Sequence, residues 1–183
     1  MLRSRDLATH RIPREYLRRL LTAGVLRRPA RGIYVLADAK PTENQSLVEA
    51  CLRVPHGIVC LLSALRFHHL TTQSPFETWL AIDSRAWLPR VDYPPIRFVR
   101  FSGAALTSGI EEHRLQKQMI RVTSPARTVV DCFVYRNKIG LDVALEALRD
   151  LRRKKLATMD ELYSVAQARR MGRVMRPYLE SLA

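Results

Sequence analysis

Apolar positions along the chain switch between a helical and a strand period, and the first switch says the most. From Pro13 to Ala23 the spacing is helical. At about 100° per residue, Tyr16, Leu17, Leu20 and Leu21 share one arc, and Arg14, Glu15, Arg18 and Arg19 take the opposite one. Proline suits a first turn, where its missing N–H would have no partner anyway, and Gly24 suits a left-handed cap, so a helix of about ten residues is expected. Val25-Leu26-Arg27 and Ile33-Tyr34-Val35 then read as short strands. Pro29 and Gly32 fall in the turn between them, with Arg28 and Arg31 at its tip.

A boundary is expected near Ala37–Pro41, giving domains 1–40 and 41–183. Thr42 with Gln45 has the form of a capping box, followed by Leu47, Val48, Cys51 and Leu52 on one side of a helix that Pro55 and Gly57 stop. The apolar run Gly57–Leu62 leads into a second helix, Ser63–Leu70, with Leu65 and Leu70 inward. Strands are expected at Phe76–Asp83 and Ile96–Ser102, and a hairpin at Glu111–Val122 turning near Gln116-Lys117-Gln118. Ser124-Pro125 opens a helix carrying Val129, Val130, Cys132 and Phe133. Helices follow at Asp142–Lys154, at Met159–Arg169 behind a Thr158 cap, and at Gly172–Leu182 with Pro177 inside. Met171, Met175, Tyr178 and Leu182 recur there as core positions. The fold class is α+β: an N-terminal winged helix-turn-helix, then a mixed α+β domain with a helical C-terminus.

Charge sharpens this picture. The 183 residues carry a formal net charge of +14, with 26 arginines to 5 lysines, and 47% are hydrophobic, enough for a proper core. Residues 1–36 hold nine arginines against Asp6 and Glu15, a net of +7. An arginine face beside a basic ribbon points to duplex DNA, whose counterions such a surface displaces and whose guanines and phosphates an arginine fork can grip. The plainer reading is a solvated helix in an arginine-rich protein, but that bias does not by itself produce segregated faces and a ribbon. A second basic zone spans 136–155, where Arg136, Lys138, Arg149, Arg152, Arg153, Lys154 and Lys155 outnumber Asp142, Glu146 and Asp150 for a net of +4. Cations ending a helix also complement its dipole, which weighs evenly against a functional patch. No apolar run approaches the roughly 20 residues that span a bilayer. The arginine-rich start lacks the apolar stretch of a secretory signal, and the three cysteines are odd in number and widely spaced, so a cytoplasmic protein with reduced thiols is expected.

Catalytic chemistry finds thin support. A metal-dependent nuclease with a winged-helix targeting domain is the alternative reading, drawn from Glu77 and Asp83 flanking one strand and Glu111, Glu112 and Lys117 near another, but nothing in their spacing forces convergence. Asp131 and Asp142 read as helix-surface or capping residues. Cys51 and Cys60 with His68-His69 lack the close ligand spacing of structural zinc sites. No metal, cofactor or enzymatic activity is expected. RNA is a possible further partner, though only Tyr16 and Tyr34 interleave with the N-terminal arginines.

Four runs carry a resemblance: Gly24-Val25-Leu26 with Arg31-Gly32-Ile33-Tyr34; Leu61-Leu62-Ser63-Ala64-Leu65 with His68; Ser124-Pro125-Ala126-Arg127-Thr128-Val129-Val130-Asp131; and Lys138-Ile139-Gly140-Leu141-Asp142-Val143-Ala144-Leu145-Glu146-Ala147-Leu148. In this order the chain resembles the AbiEi family of type IV toxin–antitoxin antitoxins. The resemblance implies an N-terminal winged helix that binds repeats in its own operon's promoter and represses it. It also implies a C-terminal domain that counteracts a nucleotidyltransferase-like toxin without forming a stable complex. The DNA-contact positions it implies are Arg11, Arg14, Arg18 and Arg19 on the helix and Arg28 and Arg31 on the wing. Antitoxicity is assigned to the second basic zone: Arg136, Lys138, Arg152, Arg153, Lys154 and Lys155, which could meet the RNA substrate of the toxin. One departure stands out. A winged helix packs three helices, yet only Leu2–Thr9 precedes Pro13, room for one short helix. Either the first helix is missing or another surface covers Leu17, Leu20 and Leu21.

Overall fold

The computed structural model describes residues 2–4, 7, 10–30, 32–38, 44–116 and 118–181. The chain divides into two compact units, Met1–Gln45 and Ser46–Ala183, and both combine helix with sheet.

The first unit holds β1 (Leu2–Arg3), α1 (Glu15–Thr22), β2 (Leu26–Ala30) and β3 (Ile33–Leu36), its strands antiparallel in the order β1-β3-β2. Two residues are too few to show a period, and β1 exists because Leu2 and Arg3 lie opposite Tyr34 and Ile33. Leu7, in helical conformation, is buried. The segment before Pro13 therefore supplies an edge strand and a core residue. Pro29 falls inside β2 and not in the turn: the ladder with β3 shifts register between Arg27 and Ala30, and on an edge strand the missing N–H breaks no inner pairing. Arg28 is likewise a strand residue. The turn itself sits at Gly32, whose φ of +78° is open to glycine at little cost and whose carbonyl accepts from the Ser4 N–H at 3.0 Å.

Helix α1 is shorter than its pattern suggested. Arg14 is its N-cap, so Pro13 lies one position outside the helix. Its other end follows the sequence: Gly24 adopts φ +68°, and Val25 N–H returns to Leu20 C=O at 3.0 Å, a Schellman closure. Leu17 packs with Leu7 and Tyr34, flanked by Leu2, Leu21 and Leu26. Tyr16 and Leu20, expected inward, are 52% and 37% exposed. So small a sheet covers a stripe narrower than the arc.

The second unit is a five-stranded sheet in the order β6-β5-β4-β8-β7, formed by β4 (Ile58–Val59), β5 (Thr78–Asp83), β6 (Ile96–Phe101), β7 (Ile110–Leu115) and β8 (Gln118–Thr123). β5 runs parallel to β6 and β4 parallel to β8, while the pairings β4–β5 and β7–β8 are antiparallel. The helices are α2 (Gln45–Arg53), α3 (Leu61–Phe67), α4 (Pro125–Val134), α5 (Arg136–Ile139), α6 (Leu141–Arg153), α7 (Met159–Ala168) and α8 (Gly172–Glu180). Alternation along β5 explains the layering. Trp79 and Ala81 join a core with α4, α6, α7 and α8, whereas Leu80 and Ile82 join a second core with Leu47, Ala50 and Cys51 of α2. Burial in α2 runs unbroken from Leu47 to Leu52, wider than the one-sided stripe expected. Thr42, its expected cap, lies outside the described residues, as do Lys117 in the β7–β8 hairpin and Leu182.

Local cap chemistry sets the helix starts. Ser124 Oγ accepts from Arg127 N–H at 3.3 Å with Pro125 in the first turn, and Thr158 Oγ1 accepts from Glu161 N–H at 3.1 Å. The ends are less conventional. α3, α6 and α7 close through Leu70→Leu65, Leu156→Leu151 and Met171→Ala166 hydrogen bonds, and the left-handed residues are His69, Lys155 and Arg170, with φ of 56°, 52° and 58°.

Candidate nucleic-acid interface

Helix α1 buries Leu17 and leaves its arginines exposed to solvent. Arg14 and Arg18 are exposed and, among the described residues, stand in no ion pair. Arg19 is held differently: its Nη2 donates to Glu15 Oε1 at 2.9 Å, and its guanidinium lies 5.8 Å from the Tyr16 ring centroid. An exposed i, i+4 pair of this kind is worth only about 0.3–0.5 kcal/mol, so phosphate could displace it. Arg11 is exposed with φ 53°, just ahead of the helix. Arg28 is exposed, with its guanidinium 5.9 Å from the Tyr34 ring centroid. Arg31 lies outside the described residues. One unit thus carries Arg11, Arg14, Arg18, Arg19 and Arg28, but Arg28 belongs to the strand and not to the ribbon tip.

The second basic zone is partly neutralised by its own helix. Asp150 receives Arg153 Nη2 at 2.8 Å and Lys154 Nζ at 3.7 Å, and Lys154 Nζ also donates to the His69 carbonyl. Arg136 Nη1 donates to Phe133 C=O at 2.9 Å, and Lys138 sits 5.7 Å from the Tyr135 ring centroid. Arg152 has a partner as well, while Lys155 is exposed. Glu146 anchors the loop after α3, accepting from Thr72 N–H at 3.0 Å and Thr72 Oγ1 at 3.1 Å. Much of this charge therefore serves helix ends and loop attachment.

Residues 1–37 match the family of transcriptional regulators described as AbiEi antitoxin. The match takes in β1, α1 and the β2–β3 ribbon, all within the first unit. The runs of the second unit that carry the resemblance, including Ser124–Asp131, lie beyond it. No curated protein matches the chain.

The carboxylates considered for a nuclease are spread across the sheet. Glu77 precedes β5 and pairs with Arg97 at 3.0 Å, while Asp83 ends the same strand and accepts from Arg85 N–H at 2.8 Å. Glu111 and Glu112 lie on β7, three strands away from β5 in the sheet order, with Glu111 bonded to His113 at 2.9 Å. Cys51, Cys60 and Cys132 are buried free thiols, with Cys51 pushed up to about 12 by burial. His68 donates from Nε2 to Thr123 C=O at 2.7 Å, and burial lowers its pKa from 6.5. Among the described residues no group of three such side chains could hold a metal ion, and no helix is long and apolar enough to cross a membrane.

Asp131 overturns its expected place on a helix surface, since it is fully buried. Arg127 Nε donates to its Oδ2 and Arg169 Nε to its Oδ1, both at 2.8 Å. Arg127, itself 2% exposed, also donates from Nη1 to Ser108 C=O at 2.6 Å and from Nη2 to Ala105 C=O at 3.2 Å. Both guanidiniums flank the Phe101 ring, at 5.2 and 5.8 Å. Burial pushes the Asp131 carboxyl upward, and the two arginines oppose that rise. Sequence reasoning missed this cluster because Arg127, Thr128 and Asp131 make a polar stripe that reads as the solvent face of an amphipathic helix, whereas the structure buries α4 all round from Ala126 to Phe133.

Proposed function

We propose that the chain is a DNA-binding antitoxin regulator whose first unit, a winged helix-turn-helix, grips duplex DNA through Arg14 and Arg18 of α1. The observation that carries this reading is that pair: two exposed arginines of α1 and its N-cap, in no ion pair among the described residues, inside the segment that matches the AbiEi antitoxin regulators. The antiparallel sheet with its β2–β3 ribbon supports a winged helix, with β1 completing the sheet and Leu7 backing α1. Arg11, Arg19 and Arg28 add phosphate contacts, and Arg31 extends them at the ribbon. Repression of its own operon through promoter repeats, and antagonism of a nucleotidyltransferase-like toxin through the second unit without a stable complex, complete the reading. Arg136, Lys138 and Arg152 to Lys155 are the residues assigned to that antagonism, with RNA as a candidate partner. The role is regulatory and not catalytic, and its setting is the cytoplasm.

The test is fluorescence anisotropy on duplex DNA from the promoter of the chain's own operon, over a range of salt. Arg14→Ala with Arg18→Ala should weaken binding by roughly tenfold or more per residue and flatten the salt slope by about one per lost phosphate contact. Unchanged affinity and slope would remove α1 as the reading element.

A further inference from the structure

The Arg127–Asp131–Arg169 cluster lies against a cavity of about 400 Å³, also lined by Ser102, Ser108, Ser164 and Arg170. Its charges do not balance, because two buried or half-buried guanidiniums share one carboxylate. Arg169 spends Nε on Asp131, and its Nη1 and Nη2 have no hydrogen-bond partner among the described residues. Arg170, held beside it at φ 58° by the closure of α7, adds a third cation at the rim, and among the described residues no carboxylate lines the cavity. The cavity wall leaves room for the Arg127 stem at Gly109. A Cβ on Gly109, which has φ +63°, would come within 3.0 Å of Arg127 Cβ and 3.2 Å of its Cγ, so the arginine stem fills the place a side chain would take.

We propose that this cavity binds a phosphate group, with the free ends of Arg169 and Arg170 as charged donors, Ser164 and Ser102 as hydroxyl donors, and buried Arg127 as the fixed positive floor. Planar guanidiniums match phosphate oxygens two at a time, and a floor locked by carbonyls and a carboxylate needs no reorganisation on binding. The space exceeds what a bare phosphate fills and lies within the range of small-molecule sites, so a phosphomonoester on an organic body fits as well as free phosphate. The proposal is independent of the DNA-binding role, since every residue it uses belongs to the second unit.

Calorimetric titration of the full chain at fixed ionic strength, with inorganic phosphate, adenosine monophosphate and adenosine as probes, tests it. Saturable phosphate binding is expected, weakened at least tenfold in Arg170→Asn combined with Ser164→Ala. These exposed changes should leave the chloride melting temperature unaltered, and asparagine tolerates the left-handed backbone. Arg169→Lys, which keeps a cation beside Asp131, is the second variant and should also weaken binding. Arg149→Ala and the Arg14→Ala, Arg18→Ala pair should bind as the parent does. Adenosine monophosphate binding tighter than phosphate, with adenosine inert, identifies a phosphomonoester, and equal affinities identify free phosphate. No binding by the parent chain, or equal weakening in the control variants, overturns the proposal.

Discussion

The two units differ in how much interior stands behind each charged group. In the first, Leu7, Leu17 and Tyr34 form a thin core, and the arginines of α1 reach straight into solvent. In the second, two cores sandwich the sheet, and its most constrained arginine is buried, with a carboxylate and two carbonyls as partners. A unit of about 45 residues buries a smaller fraction of its surface than a larger one does and is marginal alone. It can present charge but not desolvate it. The larger unit can hold a guanidinium away from water, and there the charge becomes part of the framework.

The most damaging single change should therefore lie in the second unit. Asp131→Ala leaves Arg127 and Arg169 without their counter-charge and should remove about 3–5 kcal/mol, lowering the melting temperature by roughly 10 °C. Scanning calorimetry measures the drop, and DNA affinity at low temperature should survive it. Parent-like melting would mean that the buried charge contributes nothing to the framework.

Leu17→Ala makes the opposite cut. Loss of the central side chain of the thin core should cost about 2 kcal/mol, at the low end for leucine truncation, and should abolish DNA binding while the second unit's near-ultraviolet dichroism and melting persist. Simultaneous collapse of both would merge the two units into one cooperative structure.

A pH titration sharpens the contrast. His68 is half-buried near Glu111, His113 and His69, and desolvation holds its folded pKa below the ordinary 6.5. The unfolded chain takes up that proton more readily, so His68 leaves stability intact above pH 6.5 and reduces it as pH falls from there through the folded pKa. Urea midpoints across pH 5–8 should show this loss in the second unit, and His68→Gln should flatten it. The smallest expected effect is a gain. His69→Gly relieves a non-glycine residue at φ 56° and should add about 0.5–1 kcal/mol, read as a higher urea midpoint.

Legibility followed how local each cause was. The starts of α4 and α7 were readable because Ser124 with Pro125, and Thr158, act within one turn. The hairpin β7–β8 and the alternation of β6 were readable from period alone. β1 was not, because a two-residue strand is defined by its partner β3. Pro29 reads as a turn former until the register shift and edge position are known. Tyr16 and Leu20 share an arc with Leu17, but periodicity does not say how wide a surface the neighbouring strands can cover. The α1 arginines could be named from sequence as an exposed face. The phosphate cavity could not, because Arg169 and Arg170 meet Arg127 only through the packing of α7 on α4.

The two residues of β4 have a consequence for biosynthesis. Ile58 and Val59 sit at the centre of the sheet, yet Val59 pairs with Val122, which leaves the ribosome long after it. At about 5–20 residues per second, the β8 side of β4 stays open for several seconds. A long apolar strand waiting that way would template pairing with other nascent chains, whereas a two-residue edge offers almost no ladder. So short a central strand should therefore give other nascent chains little to pair with before β8 arrives.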